Sequence, residues 1–136
     1  MKVQSYLFFD GRTEEALAFY RKAVGAEVKA LIRFKDSPEQ QPGSVPSGAE
    51  EKILHASFTI GETELMASDG RNQNKPVFQG FSLALTVTTE AEAERVFAAL
   101  GDGGQVQVPL MKTFFSPRFG IVADRFGVSW MIQVQA

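Results

Sequence analysis

Cysteine is absent from the 136 residues, and histidine and tryptophan each occur only once. Without cysteine the chain has no disulfides, no thiolate metal ligands and no cysteine nucleophile. Long apolar runs are missing as well. The one at the start, in MKVQSYLFF, is too short for a signal peptide, and no later stretch is long enough to span a bilayer. We therefore expect a cytoplasmic location and no membrane partner.

A surplus of charge of either sign is also missing, because the formal net charge is -2. There is thus no basic surface of the kind that binds nucleic acid and no acidic tail. What is present is typical of a globular protein, with 44% hydrophobic and 22% charged residues. A chain of this length suits one domain, or two small halves that share a core.

The sequence starts twice in the same way. A strand predicted over 3–9 precedes a helix that Thr13 caps and Gly25 ends, and a strand over 81–87 precedes a helix that Thr89 caps. Glu92 completes a capping box with Thr89, and Gly101 follows that helix. The two threonines are 76 residues apart (89 − 13), as are Gly25 and Gly101 (101 − 25). This common offset indicates an internal repeat.

Alternating apolar residues and turn signals predict further strands after each helix. We expect these at 27–34, 53–60, 63–67 and 105–111, with a closing hairpin within 112–132. The segments Lys35–Glu51 and Ser68–Gln79 are rich in polar and turn-forming residues. We expect the first to be a mobile loop and the second a connector. The fold class is therefore α+β: a single domain of two β-α-β-β-β modules, at about 1–69 and 80–136.

The closing stretch KTFFSPRFGIVADRFGVSWMI, from Lys112 to Ile132, is the most aromatic part of the chain. Asp124 is expected to open its turn and Gly127 to take a left-handed conformation there. One interpretation is a hydrophobic hairpin that closes a sheet. The other is the wall of a pocket, in which Lys112, Arg118 and Arg125 meet an anion.

Several motifs resemble those of a known superfamily: YLFFDG at 6–11, AFY at 18–20, HASFTIG at 55–61, GFSL at 80–83 and DRFGVSWM at 124–131. Together they resemble the vicinal oxygen chelate superfamily of glyoxalases, bleomycin resistance proteins and dioxygenases. The similarity is greatest to its PhnB-like branch, which is often labelled 3-demethylubiquinone-9 3-methyltransferase-like. The resemblance implies modules that form a curved mixed sheet with the helices outside, and a homodimer.

The resemblance also implies metal ligands on the first and last strands of each module. Gln4 and Glu64 are plausible ligands at these positions, whereas Ser82, Trp130 and Met131 are not. We therefore expect the usual metal site to be lost and predict no cofactor. His55 and Glu64 remain weak candidates for a displaced divalent metal.

Our candidate ligand-binding residues are His55, Asp69, Lys112, Phe114, Arg118 and Trp130. His55 is also the candidate catalytic base, although a lone imidazole that bonds to a neighbouring strand is the plainer alternative. Asp69 either forms a turn or faces Lys112 across a cleft. Trp130 lies either in the core or under a ligand.

Two functions stay open at this point. The first is a small-molecule binding protein with an aromatic-lined cleft. The second is an enzyme that uses either a displaced metal or a metal-free acid–base step at His55. In either case we expect a homodimer with Phe114 and Phe115 at or near its contact.

Overall fold

The computed structural model describes residues 1–37, 48–70 and 75–135. The chain divides into two compact units, Met1–Pro76 and Val77–Ala136. Most of the predicted mobile loop and the middle of the predicted connector lie outside the described residues. In the described part of the chain, no helix is long and apolar enough to cross a membrane.

The first unit contains one four-stranded sheet in the order β1-β4-β3-β2. Strand β1 runs parallel to β4, and the other neighbours are antiparallel. Its elements are β1 (Tyr6–Phe8), α1 (Thr13–Val24), β2 (Glu27–Arg33), a short 3-10 helix (Phe34–Asp36), β3 (Ile53–Ile60) and β4 (Thr63–Ser68).

The second unit repeats this topology with the strand order β5-β8-β7-β6. Strands β5 and β8 are parallel, and the remaining pairs are antiparallel. The elements are β5 (Leu83–Val87), α2 (Glu90–Gly101), β6 (Gln105–Met111), β7 (Phe119–Ala123) and β8 (Ser129–Val134). The predicted α+β fold of two β-α-β-β-β modules is thereby confirmed. Their union into a single domain stays a prediction.

One face of the first sheet packs against α1. Phe58 on β3 and Tyr20 on α1 are fully buried, and their rings stack with centroids 6.2 Å apart. Successive residues of a strand point to opposite faces, so the neighbours of the buried positions lie on the other side of the sheet. We call that side the open face because its side chains are half-buried or exposed. From the first strand, β3 and β4 they are Gln4, Tyr6, Phe8, His55, Ser57, Thr59, Glu64 and Met66.

The start of α1 corrects one prediction. Thr13 is the first residue of the helix rather than its cap, and its buried hydroxyl has no hydrogen-bond partner among the described residues. Asp69 caps the helix instead, since its Oδ1 accepts hydrogen bonds from the backbone N–H groups of Gly11 and Thr13. The prediction that Thr13 caps the helix is therefore wrong. A carboxylate 56 residues away satisfies the free N–H groups more effectively than the local hydroxyl.

The second helix follows the sequence pattern more closely. Thr89 is its N-cap, and its hydroxyl accepts a 3.1 Å hydrogen bond from the backbone N–H of Glu92. Gly101 is the last residue of the helix rather than the residue after it. In the hairpin between β7 and β8, Gly127 has the predicted positive φ, at 91°.

Candidate functional site

Asp69 follows β4 and is almost completely buried. Its Oδ1 accepts the N–H groups of Gly11 and Thr13 at 2.8 and 2.9 Å, and its Oδ2 accepts that of Ile53 at 2.7 Å. These bonds connect the turn after β1, the start of α1 and the start of β3. A ligand that used this carboxylate would compete with all three bonds.

Trp130 lies on β8 in the core of the second unit. Its indole N–H donates a 2.9 Å hydrogen bond to Oδ2 of Asp124. The other oxygen of Asp124 accepts the backbone N–H groups of Phe126 and Val128 at 2.9 and 3.0 Å. The carboxylate thus fixes both the turn and the indole, an arrangement that matches the core interpretation of Trp130.

The other predicted residues of the second unit, Lys112, Phe114 and Arg118, lie in the segment 112–118 between β6 and β7. Arg118 forms ion pairs with two glutamates of α2, at 3.3 Å to Glu90 and 2.9 Å to Glu94. Phe114 is fully exposed at the tip of this segment, edge-on to Phe115 at 5.1 Å. Lys112 is also exposed. The structure therefore groups Phe114 with other aromatic rings and directs Arg118 to a helix.

His55 lies on the open face of the first sheet, where its Nδ1 is 2.8 Å from the hydroxyl of Tyr6. The Tyr6 ring is tilted over the imidazole at 5.6 Å and stacked on Phe8 at 5.0 Å. Tyr6 is 38% exposed and Phe8 52%. The three rings form a fixed aromatic surface that solvent can reach, which we call the Tyr6 cluster.

The Tyr6 phenol has a perturbed acidity. Partial burial raises its pKa above the ordinary 10.0, and a side-chain hydrogen bond with Ser68 offsets part of that shift. The phenol therefore keeps its proton at neutral pH and has an O–H group to share with His55.

Glu64 and Gln4 meet at the other end of the open face. The Gln4 amide donates to the Glu64 carboxylate at 3.0 Å and to the Glu64 backbone oxygen at 3.2 Å. Glu64 on β4 pairs with Thr59 on β3. His55 lies four residues before Thr59 on β3, a separation of roughly 13 Å at 3.3 Å per residue. His55 and Glu64 thus share a face but are too far apart to bind one ion together.

The residues of the first unit do not make up the metal site that the resemblance implies. In the first unit, only an amide and a carboxylate occupy the implied positions, and the amide already donates to the carboxylate. Across the described ranges, no three histidine, aspartate or glutamate side chains lie close enough together to hold an ion. The implied four-ligand set does not fit these residues, so no step is assigned to a metal.

Sequence reasoning missed Tyr6 and Phe8 as candidate site residues. The signal was present, because Gln4, Tyr6 and Phe8 alternate with the buried Leu7 along the first strand. A period of two places such residues on one face of a sheet. Their connection to His55 depends on a contact between residues 49 positions apart.

Comparison with known proteins identifies the family. A profile of the family described as 3-demethylubiquinone-9 3-methyltransferase matches residues 1–133. Protein YjdN of Escherichia coli (strain K12) is 34% identical, over 98% of this chain and 95% of its own length. The chain belongs to this family, the PhnB-like family.

Solved structures of similar proteins have the same architecture. Protein PA1353 from Pseudomonas aeruginosa is 40% identical with a TM-score of 0.87, and the match covers 99% of this chain and 98% of that one. A PhnB protein from Bacillus cereus, described as a putative 3-demethylubiquinone-9 3-methyltransferase, is 33% identical with a TM-score of 0.79, over 98% and 99% of the two chains. A glyoxalase-related enzyme from Fulvimarina pelagi, at 19% identity and a TM-score of 0.60 over 99% and 88%, shares the fold alone.

Proposed function

We propose that this PhnB-like chain binds a small, ring-containing molecule on the open face of its first sheet. The observation that carries the proposal is the Tyr6 cluster, in which two exposed rings are fixed beside a hydrogen-bonded imidazole. Ligand sites typically combine apolar and aromatic walls with a few oriented polar groups. A rigid aromatic surface also loses little conformational entropy when a ligand stacks on it.

The methyl transfer named in the family description is not part of this proposal. A site for S-adenosylmethionine would need a glycine-rich turn between a strand and a helix. The glycines of this chain that cluster most closely instead follow a helix and precede a strand, since Gly101 ends α2 and Gly103 and Gly104 lie before β6. The proposal also gives no role to the metal site that the resemblance implies, because this chain lacks the complete set of ligands.

The binding proposal can be tested by NMR titration of the full chain with indole and phenol as uncharged aromatic probes. We expect shifts at Tyr6, Phe8 and His55, and weaker binding of both probes to Phe8→Leu, which keeps an apolar side chain but removes the ring. Val106→Ser, at an exposed position of β6, is the matched control and is expected to bind like the native chain. Shifts confined to other surfaces would refute the proposal.

An enzymatic function is the second candidate, and the Tyr6–His55 hydrogen bond is the observation that favours it. A base oriented by a second side chain is the usual arrangement in acid–base catalysis. Metal analysis of purified protein and of His55→Ala separates the alternatives. A stoichiometric divalent metal that disappears with the imidazole favours an enzyme with a displaced ion, whereas metal-free protein that binds aromatic probes favours the binding protein.

We also propose that the chain forms a homodimer through the segment around Phe114. The support is the full exposure of the Phe114 ring and the partial exposure of Phe115, which form an edge-on chain with Phe119. Contiguous exposed aromatic residues of this kind mark interaction surfaces in globular proteins.

A further inference from the structure

Two polar groups on the open face have unused hydrogen-bonding capacity. The Nε2 of His55 has no hydrogen-bond partner within the described ranges, since the hydrogen bond with Tyr6 uses Nδ1. Among the described residues, the Glu64 carboxylate accepts a hydrogen bond from the neutral amide of Gln4 and takes part in no ion pair. One group is a nitrogen that can donate or accept, and the other is an uncompensated negative charge.

Along the strands Tyr6 lies between these two groups, and Phe8 stacks on Tyr6 on the side away from Glu64. Tyr6 pairs with Met66, which is two residues beyond Glu64 on β4, and its hydroxyl reaches His55. The strand register separates Glu64 and His55 by roughly 13 Å between backbones. Side chains on one face of a sheet stand roughly perpendicular to it, so the two polar ends stay about as far apart as their backbones. Two hydrogen bonds of about 2.9 Å leave a gap of about 7 Å, which one aromatic ring with a short arm can span.

We propose that the ligand of the open face is a hydroxylated aromatic amine. Its ring stacks on Tyr6 and Phe8, its hydroxyl bonds to Nε2 of His55, and its ammonium group lies at Glu64. This inference rests on the proposed binding function and specifies the chemistry of the same site.

Each part of the ligand follows from a feature of the face. A hydroxyl suits Nε2 in either tautomer of the imidazole, because it can both donate and accept a hydrogen bond. A cation suits a carboxylate whose described partner is an amide, and exposed aromatic rings attract cations as well. An anionic ligand would meet the same carboxylate and be repelled.

Three matched probes test the proposal by NMR titration of the full chain. Tyramine carries both polar ends, phenethylamine lacks the hydroxyl, and 4-ethylphenol lacks the amine. We expect tyramine to shift the open-face signals with a Kd about tenfold lower than either partial probe, the ratio given by one additional hydrogen bond or ion pair.

Two variants assign the two preferences. Glu64→Gln keeps the shape of the side chain and an acceptor for Gln4 but loses the charge, so the preference of tyramine over 4-ethylphenol should disappear. His55→Ala should remove the preference over phenethylamine and leave that over 4-ethylphenol. Phe8→Leu should weaken the binding of all three probes by a similar factor.

The outcomes separate this inference from the binding function itself. If all three probes bind the native open face equally, the ligand chemistry is wrong while the binding site stands. If none of them perturbs that face, both proposals fail. If tyramine is still preferred over 4-ethylphenol in Glu64→Gln, or over phenethylamine in His55→Ala, the role given to that residue is wrong. The comparison among probes on the native chain holds even if one variant fails to fold.

Discussion

At the scale of single residues, the buried carboxylate of Asp69 joins parts of the first unit that are far apart in sequence. Its three backbone donors come from 16 to 58 residues away, and each would otherwise be a partly or fully buried N–H group without a partner. Leaving such a group unsatisfied costs about 1–3 kcal/mol.

We predict that Asp69→Asn lowers the free energy of unfolding by about 1–3 kcal/mol, because an amide keeps one acceptor oxygen but turns its NH2 group toward at least one of the three N–H donors. Chemical denaturation measures the change. Asp102→Asn is the matched control, since Asp102 forms an exposed ion pair with Arg125 at 3.1 Å and such pairs contribute about 0–1 kcal/mol. Equal losses for the two variants would show that the buried bonds of Asp69 add nothing.

Tyr6 makes a prediction about pH. Burial raises the pKa of its phenol in the folded chain, so the protonated form is the one that folding favours. This contribution to stability is complete below the unfolded pKa of about 10.0 and is lost as pH rises through the folded pKa. We expect unfolding midpoints of the native chain to fall more steeply above pH 10 than those of Tyr6→Phe. Parallel curves for the two proteins would contradict the raised pKa.

At the scale of elements, the two helices resemble each other in length but differ in how they begin. Both contain 12 residues, yet a threonine hydroxyl caps α2, whereas α1 begins at a threonine whose hydroxyl has no partner among the described residues. The sequence repeat predicted equal roles for Thr13 and Thr89. The difference arises because the Asp69 carboxylate is already at the start of α1.

The matched substitutions should therefore have opposite effects. Thr89→Ala removes a capping bond and should cost about 1 kcal/mol of stability. Thr13→Val replaces a buried hydroxyl with a methyl group of similar size, keeps the backbone N–H that bonds to Asp69, and should be neutral or stabilising. Thermal unfolding compares the two variants. A loss at Thr13→Val as large as that at Thr89→Ala would mean that the Thr13 hydroxyl has a partner after all.

Local patterns predicted most elements because their causes are local. The strands at 53–60 and 105–111 have the predicted bounds, since alternation and flanking turn residues define them. The first strand was predicted over 3–9 but spans only Tyr6–Phe8, because it pairs with β4 alone and at three positions. Local patterns could not predict the hydrogen-bond partners of Asp69 and His55, because these contacts depend on how distant segments align in the sheet.

At the scale of the whole molecule, the exposed aromatic residues are distributed unevenly. Phe8 belongs to the proposed ligand site, whereas Phe114 and Phe115 lie on a short segment that hydrogen bonds keep in place. The Thr113 hydroxyl accepts the backbone N–H of Ser116, and the Thr113 N–H donates to the Ser116 carbonyl at 2.9 Å. A fixed segment presents the two rings without a large entropic cost on association, which is what a stable contact requires.

The final prediction is that the chain is a homodimer with this segment at its contact. A twofold contact needs only one self-complementary surface, and a stable one should bury well above ~1,000 Å² in total. Sedimentation at micromolar concentration should give the mass of two chains, and Phe114→Asp should halve it by placing a charge in the buried contact. Val106→Asp adds the same charge at another exposed apolar position and should leave the dimer intact. A monomeric native chain would refute the homodimer. A dimer that only the Val106 variant disrupts would show that the contact lies at the edge of β6 instead.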